Sequence, residues 1–284
     1  MNLSINVQLG EVLSRKDCAD IVKHIIKFIV YNNQQIPYTY DGFQRIIARK
    51  KHLDERLNGK PNSNTPLSFK QIKANTFFET IENVFKTFEA IFQGIELELL
   101  SGSNLKEIVI ILGTTVMSPK HVYRIRIPKL SNLDTGGQKL RSHLFRIYRS
   151  IITSRAEKNF SSSKCGLTNI YLLINGGCST SLNSDRFVLK HGFRIPSSAD
   201  QTFISFANPD VSDNIASLDN NDHSTEENVS SEVVIDPVST KSLCSHPVDE
   251  NVDKWFIAPQ ALRGFNDLKI DGVPFYNILL ELAS

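Results

Sequence analysis

With 284 residues, 40% hydrophobic side chains and a net charge of +2, the chain suffices for one large domain or two small ones. It has no global charge to draw it to nucleic acid. Residues 208–253 hold eleven Asp or Glu and a single cation, Lys241, so that stretch carries −10 and the rest of the chain +12. A basic body with an acidic insertion fits a nucleic-acid binder with a self-shielding tail, or more ordinarily a solvated basic face. Cys18, Cys165, Cys178 and Cys244 form no CxxC pair and are too sparse for a disulfide scaffold. This argues against zinc and for reduced thiols in a nuclear or cytosolic compartment. No apolar run reaches the ~20 residues that span a bilayer. Met1–Leu13 lacks the basic start and apolar stretch of a secretory signal.

Ser14 to Tyr31 reads as a helix, capped by Ser14 with Asp17 in its first turn. Ile21, Val22, Ile25, Ile26, Ile29 and Val30 recur at helical spacing and predict one broad buried face; Asn32–Gln35 and Pro37 end it. A short second helix follows over Tyr40–Lys51, with Phe43, Ile46 and Ile47 inward. Ser68 and Gln71 form a capping box at the head of a long, central helix ending near Gly94. Its stripe is Phe77, Ile81, Val84, Phe88 and Phe92. Ile108–Leu112 reads as an inner strand and His121–Ile127 as a half-exposed one. Gly136–Ser154 is a further helix, and 169–175, 186–190 and 201–207 are strand candidates. Residues 208–252 contain no Phe, Tyr or Trp. Such a segment buries too little apolar surface to offset its chain entropy, so it reads as a disordered insertion. Order returns at Lys254–Phe265, and Tyr276–Leu282 adds a last apolar stretch. The element order predicts a single α+β domain over 1–284, with three main helices on one face of a mainly antiparallel sheet and residues 266–284 as a C-terminal extension.

Catalytic and cofactor signatures are missing. There is no GxxxxGK[ST], GxGxxG or HExxH, and no cofactor or metal is expected. Gly113-Thr-Thr follows a strand, but Lys120 is too distant, and preceded by Pro119, to complete a phosphate loop. The tempting site is Asn175-Gly-Gly-Cys178-Ser-Thr-Ser181, placed where a nucleophile elbow would lie. A cysteine hydrolase there needs a base, for which His143, His191 and His246 are the candidates. A Gly- and Ser-rich hairpin turn explains the same residues more simply. On the helix over 136–154, Leu140, Leu144, Ile147 and Ile151 cluster as a core stripe at ~100° per residue. Phe145 and Ile152 lie well round from it, close to Arg141 and Tyr148. An aromatic on a helix shoulder among arginines has hot-spot composition; it is also what the edge of a wide buried face looks like.

Five segments carry a family resemblance. Lys27-Phe-Ile-Val-Tyr-Asn-Asn-Gln-Gln-Ile-Pro37, Glu107–Tyr123 with its Ser118-Pro-Lys, Leu140–Tyr148 with Leu144-Phe-Arg146, Asp185–Pro196 and Trp255–Phe265 stand in that order. Together they resemble the comet family of spindle-checkpoint silencing proteins, which bind the checkpoint protein Mad-two (Mad2). The resemblance implies a HORMA-like fold whose C-terminal segment folds back on the core, with Trp255, Phe256 and Phe265 as its anchors. It implies an adaptor and not an enzyme: one that binds closed Mad2 and presents it to an AAA+ ATPase for return to the open form, with no membrane or nucleic-acid partner. Mad2 contacts are implied at Asn32, Gln35, Arg141, Phe145, Tyr148 and Arg149. ATPase contacts are implied at Leu189 and Lys190, ahead of Phe193-Arg-Ile-Pro196. Leu189 replaces the family's Pro, and Asn32 stands where vertebrate members carry Gln. The implied setting is the nucleus, with cytoplasm and spindle or kinetochores in mitosis.

Overall fold

The computed structural model describes residues 2–58, 69–132, 140–157, 165–177, 180–207, 253–275 and 277. In chain order these form β1 (Asn2–Gln8), α1 (Arg15–Asn32), α2 (Tyr40–Asn58), α3 (Phe69–Leu100), β2 (Leu105–Thr115), β3 (Ser118–Arg126), α4 (Leu140–Glu157), β4 (Asn169–Gly176), β5 (Val188–Leu189), β6 (Asp200–Ala207), β7 (Lys254–Ile257), β8 (Leu262–Arg263), β9 (Lys269–Ile270) and β10 (Val273–Pro274). One sheet runs β1-β6-β3-β2-β4-β7-β5, with β8 also beside β4. β6 lies parallel to both β1 and β3, and the remaining pairs are antiparallel. The fold is therefore mixed α/β with a large, mainly antiparallel sheet. β9 and β10 make a separate hairpin.

Burial follows the predicted stripes. In α1, Ile21, Val22, Ile25, Ile26, Ile29 and Val30 are all at most 1% exposed. Ser14 caps the helix, its Oγ accepting from Asp17 N and donating to the Asp17 carboxylate. The main core packs the helices against Ile108, Ile110, Tyr123, Ile125, Leu172 and Ile204 of the sheet. The opposite face has a smaller core of Val109, Ile111, Val122, Leu173, Phe193 and Trp255, with no helical residue in it. Phe193 meets Trp255 edge-on at 5.3 Å between ring centres. β3 is thereby covered on both faces at Val122 and Tyr123, and its half-exposed character begins only at Arg124.

Several expectations change. The described residues form four helices, one more than the three main helices expected on the sheet, because the second, expected to be short, is as long as the first, 19 residues against 18. β1 is not among the expected strands, yet Leu3, Ile5 and Val7 alternate inward along it. The long helix does not stop at Gly94 but continues to Leu100. A Cβ at position 94 would lie 2.8 Å from Arg186 Cβ and 2.9 Å from the Phe187 ring, so this glycine permits a close approach inside a helix and does not end one. The chain turns instead at Gly102, in the left-handed region at φ +83°. The strand over 186–190 contracts to Val188–Leu189. Ser68 of the capping box, the insertion 208–252 and most of 276–284 lie outside the described residues, and the helix over 136–154 is described only from Leu140.

Gln35 corrects a site assignment. It is 0% exposed and therefore cannot meet a partner. Its Nε2 donates to the carbonyls of Asn33 and Cys165, at 3.0 and 2.9 Å, and its Oε1 accepts from Thr168 N at 2.9 Å. Its own carbonyl accepts from Phe265 N at 2.9 Å. One side chain thus ties the end of α1 to the entry of β4, while its backbone holds the C-terminal segment. Truncation strands buried backbone groups that water cannot reach. Gln35→Ala is expected to destabilise the fold by about 2–3 kcal/mol, read as a lower urea midpoint with an unchanged slope.

Candidate docking surfaces

The buried stripe of α4 sets which way its other residues point. Ile147 and Ile151 are 0% and 1% exposed, with Leu140 and Leu144 partly buried beside them. The helix packs on β1 and on α1. At ~100° per residue this turns Phe145 outward, and it is 67% exposed. Ile152, seven residues on and on the same side, is 56% exposed. Arg141 and Arg149, one turn to either side of Phe145, are exposed as well. The surface is a ridge of two apolar side chains flanked by guanidinium groups.

Tyr148 has a different role from its neighbours. It is half-buried, its ring stacks on Phe28 at 4.8 Å, and its hydroxyl lies 3.4 Å from the His24 carbonyl. Burial raises its phenol pKa, with the Asp41 carboxylate adding to the effect. Tyr148 locks α4 to α1 and presents only part of its ring to solvent. Asn32, exposed, closes α1 about 6 Å along the axis beyond Phe28. Tyr31 beside it is 44% exposed. Ile152 and Tyr31 were not among the assigned contact residues; the helical period already singled out Ile152, and nothing local in the sequence marks Tyr31.

The second pair lies elsewhere. Leu189 belongs to β5, at the end of the sheet farthest from β1. Val188 and Leu189 are 53% and 38% exposed. Lys190 N donates to the Trp255 carbonyl at 2.7 Å, and its ammonium sits 5.9 Å over the Phe193 ring. The strand is held by β7, where Trp255 and Phe256 are 9% and 7% exposed. Phe265 is partly buried between Phe43 and Phe77, at 6.0 and 5.8 Å. Trp255 packs on one face of the sheet, Phe256 and Phe265 on the other.

The rival chemical reading centres on Cys178. Cys178 and His246 lie outside the described residues. His143 is buried against Glu11, with Nε2 at 3.2 Å, and His191 is exposed. Burial, then the Asp17 carboxylate, pushes the Cys18 thiol up to about 12, which keeps it protonated and unreactive. Among the described residues no group of three or more His, Cys, Asp or Glu is placed to hold a metal, and no helix is long and apolar enough to cross a membrane.

A family model described as "p31comet: Mad1 and Cdc20-bound-Mad2 binding" matches residues 3–220. The chain belongs to this family. The match includes β1, all four helices and β5, and stops short of Trp255, Phe256 and Phe265. The chain is also 23% identical over 188 residues to the Homo sapiens MAD2L1-binding protein, an alignment covering 65% of this chain and 63% of that protein. It thus spans less than two thirds of the relative's length.

An exposed Phe145 and a buried Ile147 make opposite statements about stability. Phe145→Ala is expected to change the unfolding free energy by less than about 0.5 kcal/mol, and Ile147→Ala to lower it by about 2–5 kcal/mol. Chemical denaturation of the two variants beside the parent chain checks both.

Proposed function

We propose that this chain is a non-enzymatic adaptor of HORMA-like architecture. It binds the closed conformer of Mad2 and presents it to an AAA+ ATPase for conversion to the open form, which silences the mitotic checkpoint. The observation that carries the reading is the Phe145 ridge: a large aromatic left in water on a helix whose core face is fully used, lying inside the family match. Exposed side chains of this size on a rigid, cation-flanked helix are what an interface anchors on. The HORMA-like assignment draws support from helices packed on a single face of the sheet and from a C-terminal segment returning to β4 through β7 and β8. Family membership supports Mad2 as the partner. The ATPase step and residence in the nucleus rest on the resemblance alone.

The two surfaces suit an adaptor geometrically. α4 packs at β1 and Lys190 follows β5, the two ends of a seven-strand path. Six strand spacings of about 4.8 Å separate them by roughly 29 Å. A partner on α4 leaves the β5 end open to a second protein. Thermodynamically, the adaptor can shift Mad2 between conformers only by its difference in affinity for the two. Any larger shift takes work from ATP hydrolysis by the motor.

Phe145→Ala is expected to weaken binding to Mad2 locked in the closed form by about 2–4 kcal/mol, as measured by calorimetry; unchanged affinity removes α4 as the interface. Lys190→Glu is expected to retain closed-Mad2 binding and to abolish ATPase-driven opening in a reconstituted assay. Opening at the parent rate removes the second surface.

A further inference from the structure

A further charged feature is a cleft lined by basic side chains. At one end of the sheet a cleft of about 730 Å³ opens between the start of β2 and the end of β3, bounded by the first turn of α1 and the end of α3. Arg15, Lys106, Arg124, Arg126 and Lys129 line it, against only Glu107 and Asp253. Arg124 is neutralised by Glu107, through Nε and Nη2 at 2.8 and 2.6 Å. Arg15 spends its guanidinium on neutral acceptors, the Asn132 side chain and the Leu99 carbonyl. Arg126 and Lys129 are exposed, with no carboxylate partner among the described residues. The cleft therefore keeps unmatched positive charge.

The topology says what passes it. β6 runs parallel to β3 and ends at Ala207, at the same end of the sheet as Arg126. β7 begins at Lys254, opposite Gly176, at that end too. Along the order β6-β3-β2-β4-β7 the cleft lies under the three middle strands. The chain leaving Ala207 must re-enter across four strand spacings, about 19 Å, on the far side of the cleft. That connection is residues 208–252, with ten Asp or Glu and one Lys. The residue that follows it, Asp253, already binds a cleft cation, its carboxylate bonded to the Lys106 ammonium.

We propose that this cleft is a docking site for acidic polypeptide, and that its occupant is residues 208–252 of the same chain, binding Arg126, Lys129 and Arg15 beyond the Asp253 contact. Single exposed ion pairs are weak. A segment tethered at both sides of its site, however, is present at an effective concentration in the millimolar range, so weak contacts suffice. External acidic peptides then compete with the chain's own. The proposal is independent of Mad2 binding.

Zero-length carbodiimide crosslinking of the intact chain, read by peptide mass spectrometry, tests it. Carboxylates of residues 208–252 are expected to link to Lys129 and Lys106 within the monomer, in clear excess over the exposed Lys51 and Lys269. The excess should vanish near 1 M salt, where charges are screened beyond about 3 Å. Links spread evenly over all lysines, or found only in crosslinked dimers, overturn it. In a second arm, the chain with those ten carboxylates changed to Asn or Gln is titrated with a labelled 208–252 peptide. Adding Arg126→Glu and Lys129→Glu should weaken that binding at least about tenfold. Equal binding with and without the reversals, or none in either, refutes the docking site.

Discussion

A helix has one side to bury, and in α4 that side is spoken for. Ile147 and Ile151 seat against β1 and α1, and each fully buried aliphatic side chain contributes about 1.5–3 kcal/mol. Rotating the helix to hide Phe145 would lift both isoleucines into water, a loss larger than the gain. The exposure of Phe145 is thus enforced by the core. The Tyr148–Phe28 stack holds the same rotation from the α1 side. A ridge fixed in this way binds with little ordering of its own, which is where much of the free energy of association is otherwise lost.

The other candidate surface depends on a remote part of the chain. β5 is two residues long and, among the described residues, pairs only with β7, whose strand begins 65 residues later at Lys254. The carbonyl of Trp255 receives the amide of Lys190. The orientation of Lys190 is therefore set by whether the C-terminal segment has seated, with Trp255 against Phe193 on one face and Phe256 in the main core on the other. The turn after α1 is drawn into the same arrangement, because the Gln35 carbonyl holds Phe265. Both ends of the fold converge on the segment that follows the acidic connection.

Local sequence carries part of this. The stripes of α1 and α4 and the Ser14 cap are legible because each depends on neighbours three or four residues away. The alternation of Leu3, Ile5 and Val7 is equally local, but a seven-residue strand whose partner is β6, some 200 residues on, offers no nearby hairpin to support it. Gly94 misleads for a comparable reason: a glycine that ends a helix and one that admits a neighbouring chain are identical in sequence, and only the proximity of Arg186 and Phe187 separates them. Gln35 misleads because polar residues after a helix are usually solvated, whereas this one is sealed by backbone groups from residues 165–168. Phe145 could be placed from the period, since its surroundings are its own helix; the β5 end could be located only through the strand order.

Charge placement bears on how the ridge is used. The body of the chain holds +12 against −10 in residues 208–253. Asp253, the described residue of that acidic run, bonds Lys106 at the cleft end of the sheet. The Debye length at physiological salt is about 8 Å, so carboxylates gathered at the cleft act chiefly on the cations that line it. Carboxylates not held there would have other cations of the basic body as attractive targets, the exposed Arg141 and Arg149 among them. Retaining the acidic run in a cation-lined cleft removes that competitor.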